Sequence, residues 1–117
     1  DFFTVVDTSK VYEGTMRVRI NNSNLMEIGS HIPVKNGQGN FIGISKISKY
    51  GVEIIKNNLV YFKNNKRDYY TIIFNKMIRN NYKIKYYDCK NLFWKEIDTI
   101  EDYNDMKYIV ENKKFKY

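Results

Sequence analysis

The alternation of apolar and polar residues divides the chain before any chemistry is considered. Phe2 to Val6 is a short apolar run closed by Asp7, the pattern of a buried strand. In TMRVRIN, Met16, Val18 and Ile20 fall on one side and Arg17 and Arg19 on the other. Asn21 to Asn24 is turn chemistry, and LMEIGSHIP reads as the returning strand, so 16–28 predicts a β-hairpin. Pro33 closes it, and Lys35 to Asn40 forms a loop with two glycines. Phe41 to Ile47 predicts another strand. Ser48 then caps a helix on which Val52, Ile55 and Leu59 share a face. KNNKRD is a polar break. DYYTIIFNKMIRN predicts a second helix, with Tyr70, Ile73, Phe74 and Met77 at helical spacing, ended by Asn80 and Asn81. YKIKYYD alternates as a strand, Tyr82, Ile84 and Tyr86 against Lys83, Lys85 and Tyr87. WKEID predicts a short strand that sets Trp94, Glu96 and Asp98 on one face and Lys95 and Ile97 on the other. Thr99 and Asp102 have capping-box spacing and open a third helix, with Tyr103, Met106 and Val110 as its stripe. Strands interleaved with helices in this order predict a single α/β domain over 1–117, a mixed sheet with flanking helices.

Composition narrows the class. At 117 residues, 43% hydrophobic and 16% aromatic, the chain can bury a core and is unlike a disordered segment. No run approaches the roughly 18 apolar residues that span a bilayer, and the first residues lack the marks of a signal peptide. A cytoplasmic protein with no membrane partner is the expectation. A lone cysteine, Cys89, excludes an intramolecular disulfide and a cysteine metal cluster, and a lone histidine, His31, excludes a multi-histidine zinc site. The formal charge of +7 is spread along the chain, which reads first as a solvated basic surface. A phosphate-bearing small ligand and a nucleic acid are the alternatives.

Against that charge, Glu96, Asp98, Glu101 and Asp102 stand close together after the only tryptophan. Acids gather at helix starts, where the dipole and free N–H groups favour them. Two carboxylates on one strand face also make a half-site for Mg²⁺, which commonly takes one or two carboxylates and completes its shell with phosphate oxygens and water. Asp98, at the end of a strand and before a helix, stands where ligands of open α/β sheets bind.

Four segments in order resemble the C-terminal half of a cytidylyltransferase-type nucleotidyltransferase, the sugar and phosphocholine kind. They are TMRVRINNSNLMEIGSHIP, GNFIGISKIS, DYYTIIFNKMIRNNYKIKYYD and, most specifically, WKEIDTIEDYNDM. The resemblance implies a nucleotide-diphospho-sugar transferase (Rossmann-like) fold. It implies transfer of a nucleotidyl group, CMP from CTP, to a small phosphorylated or phosphonate acceptor, with release of pyrophosphate and dependence on Mg²⁺. It makes Asp98 the metal ligand, with Glu96 supporting catalysis and Trp94 walling the substrate. Ser30 and His31 stand where the family often has a lysine that meets substrate phosphate, and Asn40 where it often has a glutamate beside the substrate. Arg17 and Arg19 are solvated or aid phosphate binding. The family's glycine-rich nucleotide loop and first metal-binding aspartate are expected upstream, so the chain reads as the substrate-side part of a longer enzyme. The 15–29 hairpin offers an edge for a homodimer.

Two other readings stand beside this one. Tyr82, Tyr86 and Tyr87 interleaved with Lys83 and Lys85 suit a non-catalytic module that stacks RNA or single-stranded bases. The Ser30 and Asn40 departures suit an interaction domain without an active site.

Overall fold

The computed structural model describes residues 2–60 and 69–114. Five strands close into a small barrel in the order β1-β4-β2-β3-β5. They are β1 (Phe2–Asp7), β2 (Met16–Asn21), β3 (Asn24–Gly29), β4 (Gly39–Ile47) and β5 (Lys85–Asp88). Three α-helices accompany them, α1 (Lys49–Leu59), α2 (Thr71–Arg79) and α3 (Ile100–Glu111). The mixed α/β architecture follows the sequence pattern, but the sheet is a barrel and not an open layer. β1 pairs antiparallel with β4, Phe2 opposite Ile47 and Asp7 opposite Asn40, across an irregularity between Thr4 and Val6. It pairs in parallel with β5, Phe3 opposite Lys85 and Val6 opposite Asp88. β2 lies between β3 and β4. The ring closes through Asn24 opposite Lys85 and a 2.7 Å bond from Leu25 N–H to the Ile84 carbonyl.

The core is drawn from both layers. Phe2, Val6, Val18, Leu25, Ile28 and Phe41 of the barrel meet Ile73, Phe74 and Met77 of α2 and Ile84 before β5. Phe74 packs edge-on against Phe2, with centroids 4.7 Å apart. The Ile73–Phe74–Met77 stripe is thus as the spacing predicts, while Tyr70 is half-exposed at the helix start and touches Phe41 and Phe74 by its ring. The polar break KNNKRD lies outside the described residues.

Three elements depart from the pattern. Helix α1 is capped by Ser48, whose hydroxyl accepts from Gly51 N–H at 3.1 Å, but Val52 and Leu59 are exposed. Its inward side is made of Gly51 and Asn58, both buried, with Ile54 and Ile55 half-buried against the core; Gly51 presents no side chain, and the Asn58 amide donates to the Ile54 carbonyl at 2.8 Å. Segment Trp94–Asp98 joins no ladder among the described residues, so Asp98 does not end a strand. It is held by the side chains of Trp94 and Lys95 and by the Asp98 N–H, which donates to Asp102 Oδ2 at 3.3 Å. Helix α3 has the expected capping box, with Asp102 N–H donating to Thr99 Oγ1 at 3.1 Å and Thr99 N–H to Asp102 Oδ2 at 3.1 Å. Its stripe of Tyr103, Met106 and Val110 is not core: no residue of α3 is buried.

Part of the hairpin edge expected to serve a homodimer is taken up within the chain, at Ile28. Asn75 of α2 accepts from Ile28 N–H at 2.9 Å and donates to Ile28 C=O at 2.6 Å. No helix among the described residues is long and apolar enough to cross a membrane.

Candidate functional site

Strands β1 and β5 run in parallel and end together at Asp7 and Asp88. A cavity of about 640 Å³ opens beyond the end of β1. Asp7, Tyr12, Trp94, Glu96, Lys95 and Asp102 are among its lining residues. Chain segments far apart in sequence meet there because the side chain of Trp94 donates its indole N–H to Asp7 Oδ2 at 2.8 Å. Asp7 Oδ1 accepts from Ser9 N–H at 2.8 Å and from the Ser9 hydroxyl at 2.6 Å. Burial works to raise the Asp7 carboxyl, but the bonds from Ser9 and Trp94 outweigh it and hold the group below the usual carboxylate range. Three of its roughly four lone-pair positions are used, leaving one for a ligand. Tyr12 meets Trp94 edge-to-face, with centroids 6.3 Å apart, and together they make an apolar wall.

The acids divided by this geometry do different work. Asp102 is held by Thr99, Asp98 N–H and Lys95, so its carboxyl lies below its ordinary range. Lys95 bonds Asp105 at 3.0 Å and stands 3.6 Å from Asp102. Glu96 has no such relief. Partial shielding from solvent and then the charge of Asp98 raise its carboxyl above the ordinary value. The same Glu96 charge, after burial, raises the Tyr70 phenol, which places the start of α2 beside the site. Asp98 is exposed and lies at the rim, not in the cavity lining. Among the described residues, no three His, Cys, Asp or Glu form a group that could hold a metal by themselves.

Of the residues singled out in sequence, Trp94 and Glu96 come together in the cavity and Asp98 adjoins it. Ser30 and His31 do not join them. They line a second depression of about 330 Å³ with Thr71, Asn75 and Arg79, where His31 Nε2 lies 2.8 Å from Glu27. Asn40 is fully buried and does not line this cavity. Its Oδ1 accepts from Tyr12 N–H at 3.0 Å and Thr15 Oγ1 at 2.9 Å, and its amide donates to the Lys10 carbonyl at 2.5 Å. An amide, with donor and acceptor, fits that position; a carboxylate would leave the Lys10 carbonyl without its donor. Asn40 shapes the cavity wall by holding the 8–15 loop. Arg17, read as solvated or as an aid to phosphate binding, is buried. Its guanidinium donates to the carbonyls of Tyr12 (3.2 Å), Ile32 (2.5 Å) and Ser30, and so ties the loop of the first depression to that of the second. Arg19 is exposed and pairs with Glu27 at 3.4 Å.

Asp7 is the site residue that sequence reasoning missed. Its signal was an apolar run stopped by an acid, the mark of a strand ending at a crevice. The tyrosines of 82–87 do not form one stacking surface. Tyr86 packs on the core, whereas Tyr87 and Lys85 face the other way, with Lys85 5.6 Å over the ring of Phe3.

No protein-family model matches the chain, and no curated protein matches it. Among solved structures it is similar to the inositol-1-phosphate CTP transferase from T. maritima, with a TM-score of 0.76 and 20% sequence identity. The fold is similar to that of a CTP transferase. The similarity covers 96% of this chain and 44% of that one, so the chain spans less than half the length of the transferase. The fold therefore agrees with the resemblance carried by the four sequence segments.

Proposed function

We propose that this chain is the acceptor- and metal-binding part of a nucleotidyltransferase whose nucleotide loop lies elsewhere in the complete protein. It transfers CMP from CTP to a small phosphorylated or phosphonate acceptor. The observation that carries this reading is the meeting of Asp7, Trp94 and Glu96 in one cavity at the carboxyl end of β1, in a fold similar to a CTP transferase. An acceptor oxygen attacks the α-phosphorus, the bond to the β-phosphate bridging oxygen breaks, and pyrophosphate leaves with that bond's electrons. Such chemistry asks the protein for positioning and charge neutralisation.

The cavity's charge fits a bound cation. Asp7, Glu96 and Asp102 line it, and Lys95, its cation, is committed to Asp105 and Asp102. Anionic substrates approach such a wall only with a divalent ion between. Oxygen donors in ones and twos suit Mg²⁺, whose remaining positions go to phosphate and water. Asp98 and the free lone pair of Asp7 are the groups that would hold it, and when bound it supplies charge neutralisation to the phosphate oxygens. Asp7 is kept ionised and aimed by Ser9 and Trp94. Trp94 and Tyr12 exclude water on one side. Glu96 meets the acceptor, and Ser30 and His31 receive its outer end from the neighbouring depression.

The test is pyrophosphate release by the complete protein with CTP, Mg²⁺ and a panel of phospho- and phosphonate acceptors. One acceptor should turn over, and Asp98→Asn should lower kcat by about 100-fold or more, the scale of losing one transition-state charge partner. No turnover with any acceptor, or turnover indifferent to Asp98, contradicts the reading.

A further inference from the structure

The second depression adjoins the first. Thr15 lines the one and Met16 the other, and Tyr70, beside Glu96, is followed by Thr71 in the second. Thr71 opens α2, is 6% exposed and lines this depression. Its hydroxyl has no hydrogen-bond partner among the described residues. A polar side chain buried so far is ordinarily paired. The first turn of α2 carries no acid, and Tyr70 at its N-cap makes no side-chain capping bond. N–H groups there keep the partial positive charge of a helix start. Ser30 lines the same depression, on a loop whose Ser30 and Ile32 carbonyls are held by the buried Arg17 guanidinium. Glu27, the one acid of this lining, is met by His31 at 2.8 Å and by Arg19 at 3.4 Å. Arg79, about two turns further along α2, also lines the depression and has no ion-pair partner among the described residues.

We propose that this depression seats an oxyanion, a carboxylate or a second phosphate, at the far end of the acceptor. The inference rests on the nucleotidyltransferase reading and names the acceptor's class, a phospho-compound with an anionic tail. The Thr71 hydroxyl and the N–H groups of the first turn donate to the oxyanion, as helix starts do to phosphates and carboxylates. Ser30 donates from its fixed loop, and Arg79 adds charge. A cationic tail such as a trimethylammonium would meet the positive end of a helix and an unpaired guanidinium, with Glu27 already committed. A neutral polyol would satisfy Thr71 without drawing on Arg79.

The experiment is calorimetric titration of the complete protein, with Mg²⁺ and a CTP analogue whose α,β-bridge is methylene, so that nothing turns over. The probes are 3-phosphoglycerate, propane-1,3-diol bisphosphate, glycerol 3-phosphate and phosphocholine, whose far ends are carboxylate, phosphate, neutral and cationic. At least one of the two anionic-tailed probes should bind about tenfold more tightly than glycerol 3-phosphate, the scale of one charge-assisted hydrogen bond, and phosphocholine should bind no better than glycerol 3-phosphate. The tighter anionic probe names the oxyanion. Thr71→Val should remove most of that preference and leave glycerol 3-phosphate unchanged, while Thr71→Ser, which keeps the hydroxyl, should retain it. Arg79→Gln should weaken the preference, and Lys49→Gln, the same loss of charge at the exposed start of α1, should not. Glycerol 3-phosphate or phosphocholine binding as tightly as both anionic probes, a preference that survives Thr71→Val, an equal loss in Lys49→Gln, or no binding of any probe overturns the proposal. Binding does not read turnover. A protein that releases no pyrophosphate from CTP but shows the Thr71-dependent preference retains this proposal and loses the functional one, and a protein that turns over phosphocholine without that preference does the reverse.

Discussion

Asp7 joins fold and chemistry in one side chain. It ends a buried strand, is 4% exposed, and accepts from Ser9 and Trp94. Its pKa in the fold lies below that of the unfolded chain. Its contribution to stability is therefore present above the ordinary aspartate value and lost as pH falls through the lowered one. Asp7→Asn should flatten the loss of stability below about pH 4, as read by urea unfolding at a series of pH values. An unchanged acid limb would mean that the bonds to Ser9 and Trp94 do not favour the charged form. The carboxylate was visible in sequence as the stop of an apolar run, but its partner was not. Trp94 lies 87 positions away, and no local period links the two. Arg17 and Asn40 were misplaced for a related reason. Alternation assigns a residue to a face; it does not show that a loop will fold back over that face and bury the residue with hydrogen bonds.

At the scale of elements, patterns with many apolar residues were legible and those with few were not. β1, the hairpin, β4 and α2 fall where their periods place them, because each sends several large side chains into one core. WKEID alternates too, yet a strand needs a neighbour, and the segment is held instead by Trp94 on Asp7 and Lys95 on Asp105. Gly39 shows how closely β1 and β4 approach beneath the site. A Cβ there would lie 2.8 Å from Val6 Cγ1 and 2.9 Å from the Asp7 carbonyl. Backbone cannot yield as a side-chain tip does. Gly39→Ala should cost about 1–3 kcal/mol, the range of core overpacking, seen as a lowered thermal midpoint. Gly37→Ala, whose nearest contact is a Val11 side-chain methyl at 3.0 Å, should cost less. Equal effects would mean that the β1–β4 approach is looser than the structure has it.

For the whole molecule, a formal charge of +7 surrounds a cavity that gathers Asp7, Glu96 and Asp102. Under the proposed function, a basic exterior would draw anionic nucleotides and acceptors inward, and the acid-lined cavity would then select for a cation with them. Composition gave the first half of this arrangement, while the second depends on three segments meeting in space. The barrel was not legible because its closure rests on a few bonds between the start of β3 and the chain at 84–86. The direct test of the account compares kcat for the complete protein, with CTP, Mg²⁺ and its best acceptor, between Asp7→Asn and Asp105→Asn. Asp7 lines the cavity and Asp105 does not, though both bond a neighbouring side chain. The account predicts a loss of about 100-fold or more for Asp7→Asn and a rate within about twofold of the unaltered protein for Asp105→Asn. Equal rates in the two variants, with both folded, would contradict it.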